Sequence, residues 1–232
     1  MNDETRDVPD VIEKLAGGLV VSCQALDGSP MRDSYVMAKV AEAALMGGAV
    51  GLRVNGPEDI RAIRKVSEAP VIGLYKTMGK NRLIITPDFK KAAALVEAGA
   101  SIVAVDATNE VLGEDFSLIS RIRRELGVPV MADVSTVEEG IRAADAGADM
   151  VGSTLSGYTP ETRPTPDLPD LGLVHVLAER GIRVVAEGRY RTPEQMSRAF
   201  QAGAYSVVIG GAITDPLKTS AIFVAATPRM NS

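Results

Sequence analysis

Polar or ionisable side chains stand at the ends of the short apolar runs of this chain. The runs are rich in Val, Ile, Leu and Ala, which is the composition of buried parallel strands. Seven runs end in such a residue and the eighth ends in two glycines, at Gln24, Arg53, Lys76, Asp106, Asp133, Ser153, Glu187 and Gly210-Gly211. Buried polar groups without partners are costly, so a purely structural protein has no need of this convergence. We therefore expect an active site where the strands end.

Lys76 is the residue best suited to remove a proton. It follows the run Val71–Tyr75, and the alternation of side chains along a strand places Ile72, Leu74 and Lys76 on the same side. An amine at the rim of an apolar barrel loses part of its hydration, which lowers its pKa. In its neutral form the amine can take a proton from a carbon beside a carbonyl group. The alternative is a solvated lysine, or one that contacts an anion.

Glu187 is the second candidate catalytic residue. It is expected to act as the acid opposite Lys76 or to hydrogen-bond the substrate, and a structural ion pair is the alternative. We expect Arg53 and Asp133 to orient hydroxyl or amide groups of a substrate, while Gln24 offers a neutral donor and acceptor to the same groups. Asp106 either shares this task or caps a loop.

Glycines follow the last two predicted strands and indicate where an anion binds. Barrels commonly bind phosphate at these two loops, where glycines let backbone N–H groups approach the oxygens and a short helix contributes its N-terminus. A plain tight turn is the alternative for the glycine pair. The expected substrate-binding residues in this half of the site are Ser153, Gly188, Arg189, Gly210 and Gly211.

The chain contains one histidine and one cysteine, which limits the chemistry available to it. His175 lies in an apolar segment with helical character, so we expect it on a helix face. We expect Cys23 to pack in the wall of the fold. An internal disulfide, a Cys-x-x-Cys metal site and a histidine metal site are therefore excluded, and acid–base work falls to Lys, Asp, Glu, Tyr or Cys. We predict no metal and no cofactor.

The apolar runs alternate with segments of helical spacing, and this alternation predicts a single-domain (β/α)8 TIM barrel over residues 1–232, with residues 1–9 as a flexible extension. The predicted strands are Leu19–Ser22, Ala49–Val54, Val71–Tyr75, Ile102–Val105, Val128–Ala132, Asp149–Gly152, Arg183–Ala186 and Ser206–Ile209. An open, doubly wound α/β sheet is the main rival.

A glycine-alanine pair precedes every second strand and supports the barrel. The glycines are Gly48, Gly99, Gly147 and Gly203, so the repeating unit is a (βα)2 pair, and four pairs close a barrel. We expect each glycine to end its helix in the left-handed conformation.

Helix starts and one long loop complete the pattern. A capping side chain precedes a proline at Thr86-Pro87, Thr192-Pro193 and Asp215-Pro216, which predicts a helix N-terminus at each. The insertion from Gly157 to Asp170 follows the sixth strand and is rich in Pro, Thr and Asp. On the active-site side of a barrel it is a candidate lid, and a disordered surface loop is the alternative.

Composition sets the broad class. The chain has 232 residues, of which 46% are hydrophobic and 24% charged, values that suit one large domain with its own core. Its net charge of −5 argues against nucleic-acid and anionic-membrane partners. We see neither an apolar run of spanning length nor a signal peptide, so we expect a cytoplasmic protein. The sequence leaves the oligomeric state open, and a homodimer is one arrangement it allows.

These residues, in this order, resemble the N-acetylmannosamine-6-phosphate 2-epimerase family. The likeness covers roughly residues 10 to 225, and its more specific parts are Ser156-Gly157-Tyr158-Thr159 after the sixth strand and Ala186-Glu187-Gly188 after the seventh. The other matching segments are Gly18–Leu26, Gly51–Gly56, Ile72–Lys76, Ile85–Pro87, Asp106–Thr108, Met131–Thr136 and Gly211–Thr214.

The resemblance implies conversion between N-acetylmannosamine 6-phosphate and N-acetylglucosamine 6-phosphate, in sialic acid and amino-sugar breakdown. It implies that Lys76 acts at C2 with help from Glu187, without metal or nucleotide. It also implies that Gln24, Arg53 and Asp133 contact the substrate.

The chain departs from the family pattern at three places. Asp215 stands where family members usually carry Arg, Thr77-Met78 stand where Arg-Asp usually follows the lysine, and the segment Asn109–Leu112 lacks the arginines often found there. Arg82, Arg163, Arg189 and Arg191 are candidates to replace this charge. Two alternatives therefore stay open, namely an epimerase or isomerase of a related or non-phosphorylated amino sugar, and a non-catalytic barrel that binds a sugar phosphate.

Overall fold

Eight parallel strands of the chain close into a barrel in the computed structural model, which describes residues 10–163 and 167–228. The predicted extension, residues 1–9, lies outside the described residues. The strands follow the order β1-β2-β3-β6-β7-β8-β9-β10 around the barrel, and β10 pairs with β1 to close it. They are β1 Leu19–Cys23, β2 Gly51–Asn55, β3 Val71–Leu74, β6 Ile102–Asp106, β7 Val130–Asp133, β8 Met150–Gly152, β9 Val184–Glu187 and β10 Ser206–Ile209. The (β/α)8 prediction is confirmed.

Helices connect the strands on the outside of the barrel. In the described residues they are α1 Asp10–Glu13, α2 Ser34–Met46, α3 Pro57–Arg64, α4 Phe89–Glu97, α5 Asn109–Leu112, α6 Ser117–Leu126, α7 Val137–Asp145, α8 Leu171–Ala178, α9 Pro193–Gln201, α10 Gly211–Thr214 and α11 Pro216–Ala225, with a 3-10 turn at Ser153–Leu155. The remaining two strands, β4 Lys76–Met78 and β5 Leu83–Ile85, form a small antiparallel hairpin on the rim.

The four Gly-Ala pairs behave as predicted. Gly48, Gly99, Gly147 and Gly203 all have φ between 96° and 106°. In each pair the N–H of the following alanine reaches back to the helix, as in the 3.1 Å bond from Ala49 to the carbonyl of Ala44. This is the Schellman arrangement, in which a left-handed residue lets the chain leave the helix and enter the next strand.

Two of the three predicted helix starts are confirmed and one is wrong. Thr192 caps α9 through the N–H of Gln195, and Asp215 caps α11 through the N–H of Lys218. The helix predicted after Thr86 begins instead at Phe89, with Asp88 as its cap. Thr86 is buried with φ of 45° because its backbone and hydroxyl both bond to Tyr75, which closes the base of the hairpin.

The N-terminal residues of the described chain seal the bottom of the barrel. Ile12 and Leu15 are fully buried and join the inward-facing residues of the strands in one apolar cluster. A methyl group on Gly51 would lie 2.6 Å from the Leu15 side chain, so β2 needs glycine where Leu15 packs. This apolar floor leaves the opposite end of the barrel as the open mouth.

We expect Leu15→Ala to lower the free energy of unfolding by about 2–5 kcal/mol, because the change removes a fully buried side chain and leaves a cavity. Urea denaturation followed by circular dichroism measures this change. Met46→Ala is the matched control. Because Met46 is 84% exposed, we expect this change to alter the free energy of unfolding by no more than about 0.5 kcal/mol. Equal small effects in both variants would contradict the role of Leu15.

Candidate active site

Three charged side chains from opposite sides of the barrel meet at its mouth. Arg53 on β2 places Nη2 2.6 Å from Oδ2 of Asp133, at the end of β7, and Nη1 3.1 Å from Oδ1 of the same carboxylate. Its Nη1 also lies 2.8 Å from Oε2 of Glu187, at the end of β9. One guanidinium therefore fixes two carboxylates that belong to distant parts of the chain.

Burial makes these contacts strong. The side chains of Arg53 and Asp133 are 1% and 0% exposed, and that of Glu187 is 16% exposed. Loss of hydration raises the pKa of Glu187, and the neighbouring charge of Asp133 adds to the rise, while Arg53, Lys76 and a hydrogen bond from Thr154 oppose it. Glu187 is thus a carboxyl group that holds its proton more readily than an ordinary glutamate.

Lys76 shares this environment from the rim. Loss of hydration lowers its pKa from 10.5 to about 8, helped by the positive charges of Arg53 and Lys218 and opposed by the carboxylates of Glu187 and Asp133. Its backbone N–H donates to Oδ1 of Asn55 at 2.8 Å, which anchors the first residue of the hairpin to the end of β2. The neutral amine is therefore more populated at neutral pH than in an ordinary lysine.

The hairpin that begins at Lys76 is clamped by an arginine at its tip. Arg82 donates to both carboxylate oxygens of Asp106, at 2.7 and 3.2 Å, and also to Thr108 and Glu110. Asp106 further accepts from the hydroxyl of Thr108 at 2.6 Å. The geometry therefore assigns Asp106 to holding loops together, the second of the two roles that the sequence left open. Arg82 is thus engaged by the carboxylates of Asp106 and Glu110, and its replacement of a missing family arginine stays a prediction.

Two hydroxyl groups after β8 orient Glu187. Ser153 donates to the backbone carbonyl of Glu187 at 2.9 Å and accepts from its N–H at 3.1 Å. Thr154 donates to Asp133 at 2.6 Å and lies 3.2 Å from the Glu187 carboxylate. Substrate binding by Ser153 stays a prediction, while the structure shows its contact with Glu187. Thr154 was missed from the sequence, where it is only the second residue after a strand.

Arg189 holds the long loop. It has φ of 63°, after Gly188 at 110°, and its guanidinium donates to the carbonyls of Leu168 and Ser156, each at 2.6 Å. It also lies over the ring of Tyr158. Of the loop predicted between Gly157 and Asp170, residues 164–166 lie outside the described residues. These contacts tie the described part of the loop to the end of β9, and substrate binding by Gly188 and Arg189 stays a prediction.

The last loop of the barrel packs closely against the first strand. A methyl group on Gly210 would lie 3.2 Å from the side chain of Ser22, and the Thr214 hydroxyl donates to the Ser22 carbonyl at 2.8 Å. Gln24 donates to the Ser22 hydroxyl at 2.8 Å, while its buried Oε1 has no hydrogen-bond partner among the residues that the structure describes. Binding of substrate by Gln24, Gly210 and Gly211 stays a prediction.

Asp215 is occupied by the helix that it caps. Its carboxylate accepts from the N–H of Lys218 at 3.1 Å and lies 3.4 Å from the ammonium of the same residue. The carboxylate that replaces a family arginine is thus partly neutralised by Lys218. Of the other candidate arginines, Arg191 pairs with Asp167 at 2.7 Å, and Arg163 donates to the carbonyl of Gly157.

The lone cysteine and histidine lie where the sequence predicted. Cys23 is fully buried, and burial raises the pKa of its thiol to about 12, so it stays protonated. His175 lies on α8 with its side chain 56% exposed. Within residues 10–163 and 167–228, no three His, Cys, Asp or Glu side chains are grouped as metal ligands. The helices described there are all too short or too polar to span a membrane.

We expect the Lys76 amine to titrate near pH 8 rather than near 10.5. Glu187→Gln lowers this midpoint further, because it removes a negative charge that favours the ammonium form, whereas Lys218→Met raises it by removing a like charge. Competitive labelling with acetic anhydride across a pH series, read by mass spectrometry of the Lys76 peptide, measures the midpoint. A midpoint near 10.5 would show that this nitrogen is solvated.

Comparison with known proteins places this arrangement in a family. Residues 37–229 match the family model described as "Putative N-acetylmannosamine-6-phosphate epimerase". Relatives named "Putative N-acetylmannosamine-6-phosphate 2-epimerase" occur in Caldanaerobacter subterraneus, 46% identical with 93% of each chain covered, and in Cutibacterium acnes, 44% identical with 92% of this chain and 95% of the relative covered.

Solved structures agree with the sequence matches. The N-acetylmannosamine-6-phosphate 2-epimerase from Clostridium perfringens superimposes with a TM-score of 0.86 and 38% identity, covering 93% of this chain and 96% of that one. Thiamine phosphate pyrophosphorylase from Pyrococcus furiosus, with a TM-score of 0.62 and 17% identity over 90% of this chain and 91% of its own, shares the fold alone. The chain therefore belongs to the N-acetylmannosamine-6-phosphate 2-epimerase family.

Proposed function

We propose that this protein interconverts N-acetylmannosamine 6-phosphate and N-acetylglucosamine 6-phosphate by moving the proton at C2. The supporting observation is the cluster of Lys76 and Glu187, which are partly buried, with the buried Arg53 and Asp133, together with membership of the epimerase family. The reaction belongs to the breakdown of sialic acids and amino sugars. A phosphorylated sugar does not cross a membrane unaided, which supports a cytoplasmic location.

The chemistry needs one proton to leave C2 and one to return on the opposite face. In the open-chain sugar C2 lies beside the aldehyde, so the electron pair of the broken C–H bond moves into an enolate. Lys76, in its neutral form, takes the proton, and the carboxylic acid of Glu187 gives a proton to the other face of C2. The reverse reaction starts from the ammonium of Lys76 and the carboxylate of Glu187.

Both directions therefore need one proton on the pair formed by Lys76 and Glu187. The structure supports this, because burial raises the pKa of Glu187 and lowers that of Lys76 to about 8, so the two groups compete for the proton more evenly than in water. The positive charge of Arg53, which contacts Glu187, stabilises the negative charge that develops on the substrate as the enolate forms.

Binding of the substrate is proposed for the residues that surround this pair. Asp133 and Gln24 would orient hydroxyl and amide groups, and the phosphate would lie on the backbone of the loops that begin at Gly188 and at Gly210-Gly211. Lys218 lies near enough to Lys76 to affect its pKa, so its charge would also act on a bound phosphate. A partner copy of the chain, as in a homodimer, stays a prediction.

The alternative hypothesis is that the substrate is a sugar without phosphate. It is based on Asp215, which stands in place of the family arginine. Its carboxylate is engaged by the N–H and the ammonium of Lys218, which lessens its repulsion of an anion. We therefore expect kcat/KM for phosphorylated N-acetylmannosamine to exceed that for the free sugar by at least about tenfold, the minimum for a lost charge-assisted hydrogen bond.

We expect Lys76→Met to keep the fold and to abolish exchange of the C2 hydrogen with solvent. Proton NMR of N-acetylmannosamine 6-phosphate in deuterium oxide reports exchange and product together, and the free sugar is run in parallel. Lys80→Met is the matched control, because Lys80 lies exposed in the turn of the same hairpin. Exchange at the wild-type rate in the Lys76 variant would remove the catalytic assignment. Tight binding without exchange in the wild type would favour the non-catalytic barrel.

The pH dependence of kcat/KM tests the shared proton. We expect the rate to fall above about pH 8, where the pair loses its last proton, because Lys76 has a pKa of about 8. We also expect an acid limb at a pH above 4.5, since the pKa of Glu187 is raised from that value and a second proton blocks the base. A rate that rises through pH 8 to a plateau would instead identify Lys76 as the only proton-transfer group.

A further inference from the structure

Two carboxyl groups of the site share one hydroxyl group. Oγ1 of Thr154 lies 2.6 Å from Oδ1 of Asp133 and 3.2 Å from Oε2 of Glu187. A threonine hydroxyl carries a single proton, so at any moment it can donate fully to only one of these two acids. The proton-transfer chemistry proposed above gives this hydroxyl no task.

The backbone on both sides of Thr154 holds the hydroxyl between the two acids. Thr154 is the middle residue of the 3-10 turn that follows β8. On one side of the turn, the N–H of Leu155 donates at 3.1 Å to the carbonyl of Val134, which follows the end of β7. On the other side, the Ser153 hydroxyl bonds to the backbone of Glu187 at the end of β9. The turn is therefore fixed to both strands that carry the acids.

Gly152 makes room for this arrangement. A methyl group on Gly152 would lie 2.7 Å from Oδ1 of Asp133 and 2.9 Å from Oγ1 of Thr154, which is too close for atoms that are not bonded. The φ of Gly152 is −100°, a value open to every residue, so close packing rather than backbone conformation requires glycine here. Any side chain at this position would push the hydroxyl away from Asp133.

The charge of Glu187 determines which acid is the better acceptor. In the proposed reaction Glu187 is a carboxylic acid before it gives its proton to C2 and a carboxylate afterwards. While Glu187 is protonated, the carboxylate of Asp133 is the stronger acceptor for the Thr154 hydroxyl. Once Glu187 is ionised, the hydroxyl can turn to it at little cost, because Asp133 keeps its two hydrogen bonds from Arg53.

We propose that Thr154 is a positioning residue whose hydroxyl donates to Asp133 while Glu187 is protonated and turns toward Glu187 when Glu187 ionises. This inference rests on the proposed function. The proton of the hydroxyl stays on Thr154 and only changes direction. The proton that reaches C2 comes from Glu187, and the electron pair of the enolate forms the new C–H bond. The hydroxyl thus stabilises the carboxylate of Glu187 when it forms.

Titration of Glu187 in the protein without substrate tests the hydroxyl directly. Glutamate labelled with carbon-13 at the side-chain carboxyl reports its ionisation by NMR, and the Glu187 signal is the one that Glu187→Gln removes. We expect Thr154→Val, which keeps the shape and removes the hydroxyl, to raise the titration midpoint of Glu187 by about one pH unit, because the carboxylate loses a hydrogen bond. The charged groups that face Glu187, namely Arg53 on β2, Lys76 on β4 and Asp133 on β7, stay in place.

Two further variants separate the hydroxyl from its packing. Thr154→Ser keeps the hydroxyl without the methyl group, and we expect the wild-type midpoint. Thr154→Ala loses both, and we expect the same rise as in Thr154→Val. The acid limb of kcat/KM for N-acetylmannosamine 6-phosphate is expected to move up with the midpoint in the valine and alanine variants and to return in the serine variant. A purely structural role would lower kcat/KM equally at every pH.

The outcomes separate the two proposals. An unchanged or lowered midpoint in Thr154→Val and Thr154→Ala would overturn the inference, and normal exchange at C2 would then leave the proposed function standing. An equal rise in all three variants would also overturn the inference, because the effect would come from packing. A raised midpoint in the valine and alanine variants alone supports the role of the hydroxyl. Absence of exchange at C2 in the wild-type protein would overturn the proposed function, whatever the midpoint.

Discussion

The contacts of Arg53 are the interaction on which the rest of the site depends. A buried guanidinium without carboxylates would be very unfavourable, and so would the buried carboxylates of Asp133 and Glu187 without the guanidinium. With Lys76 included, the four groups can carry two positive and two negative charges, so the mouth of the barrel holds them without net charge. This balance allows acid–base groups to be kept out of water, and it also holds β2 against β7 and β9 across the mouth.

Burial of this group brings the proton affinities of Lys76 and Glu187 closer together. The same loss of hydration acts in opposite directions, because it disfavours an ammonium in one case and a carboxylate in the other. A proton can therefore reside on either group at moderate cost, which suits a reaction that runs in both directions. The effect requires that water be kept out, and the hairpin held by Arg82 and the loop held by Arg189 stand on either side of the mouth.

The chain matches the epimerase family at the four charged residues of the site and departs from it at residues around them. Lys76, Glu187, Arg53 and Asp133, to which we assign proton transfer in the proposed function, all match the family. The departures affect the surrounding charges. Arg82 and Arg189 bind carboxylate and carbonyl oxygens of the protein, and the ammonium of Lys218 lies 3.4 Å from the carboxylate of Asp215. The hairpin after Lys76 also carries an exposed methionine in place of a charged residue, which makes the rim beside the amine more apolar. The departures from the family pattern therefore change the charges around these four residues and leave the four residues themselves unchanged.

The barrel and most candidate residues could be predicted from the sequence because the signals are local. Apolar runs, helical spacing and the left-handed Gly48, Gly99, Gly147 and Gly203 depend on residues close together in the chain, and all eight strands were located to within two residues at either end. The carboxyl ends of parallel strands share one edge, so Lys76, Asp133 and Glu187 could be assigned to one site.

The hairpin of β4 and β5, by contrast, is built from strands of three residues that are too short for a periodic signal. Pairing of Arg53 with Asp133, 80 residues away, and of Arg82 with Asp106, 24 residues away, depends on closure of the barrel. Closure decides which of several possible carboxylates each arginine meets, and so it decides the charge and hydration around Lys76 and Glu187.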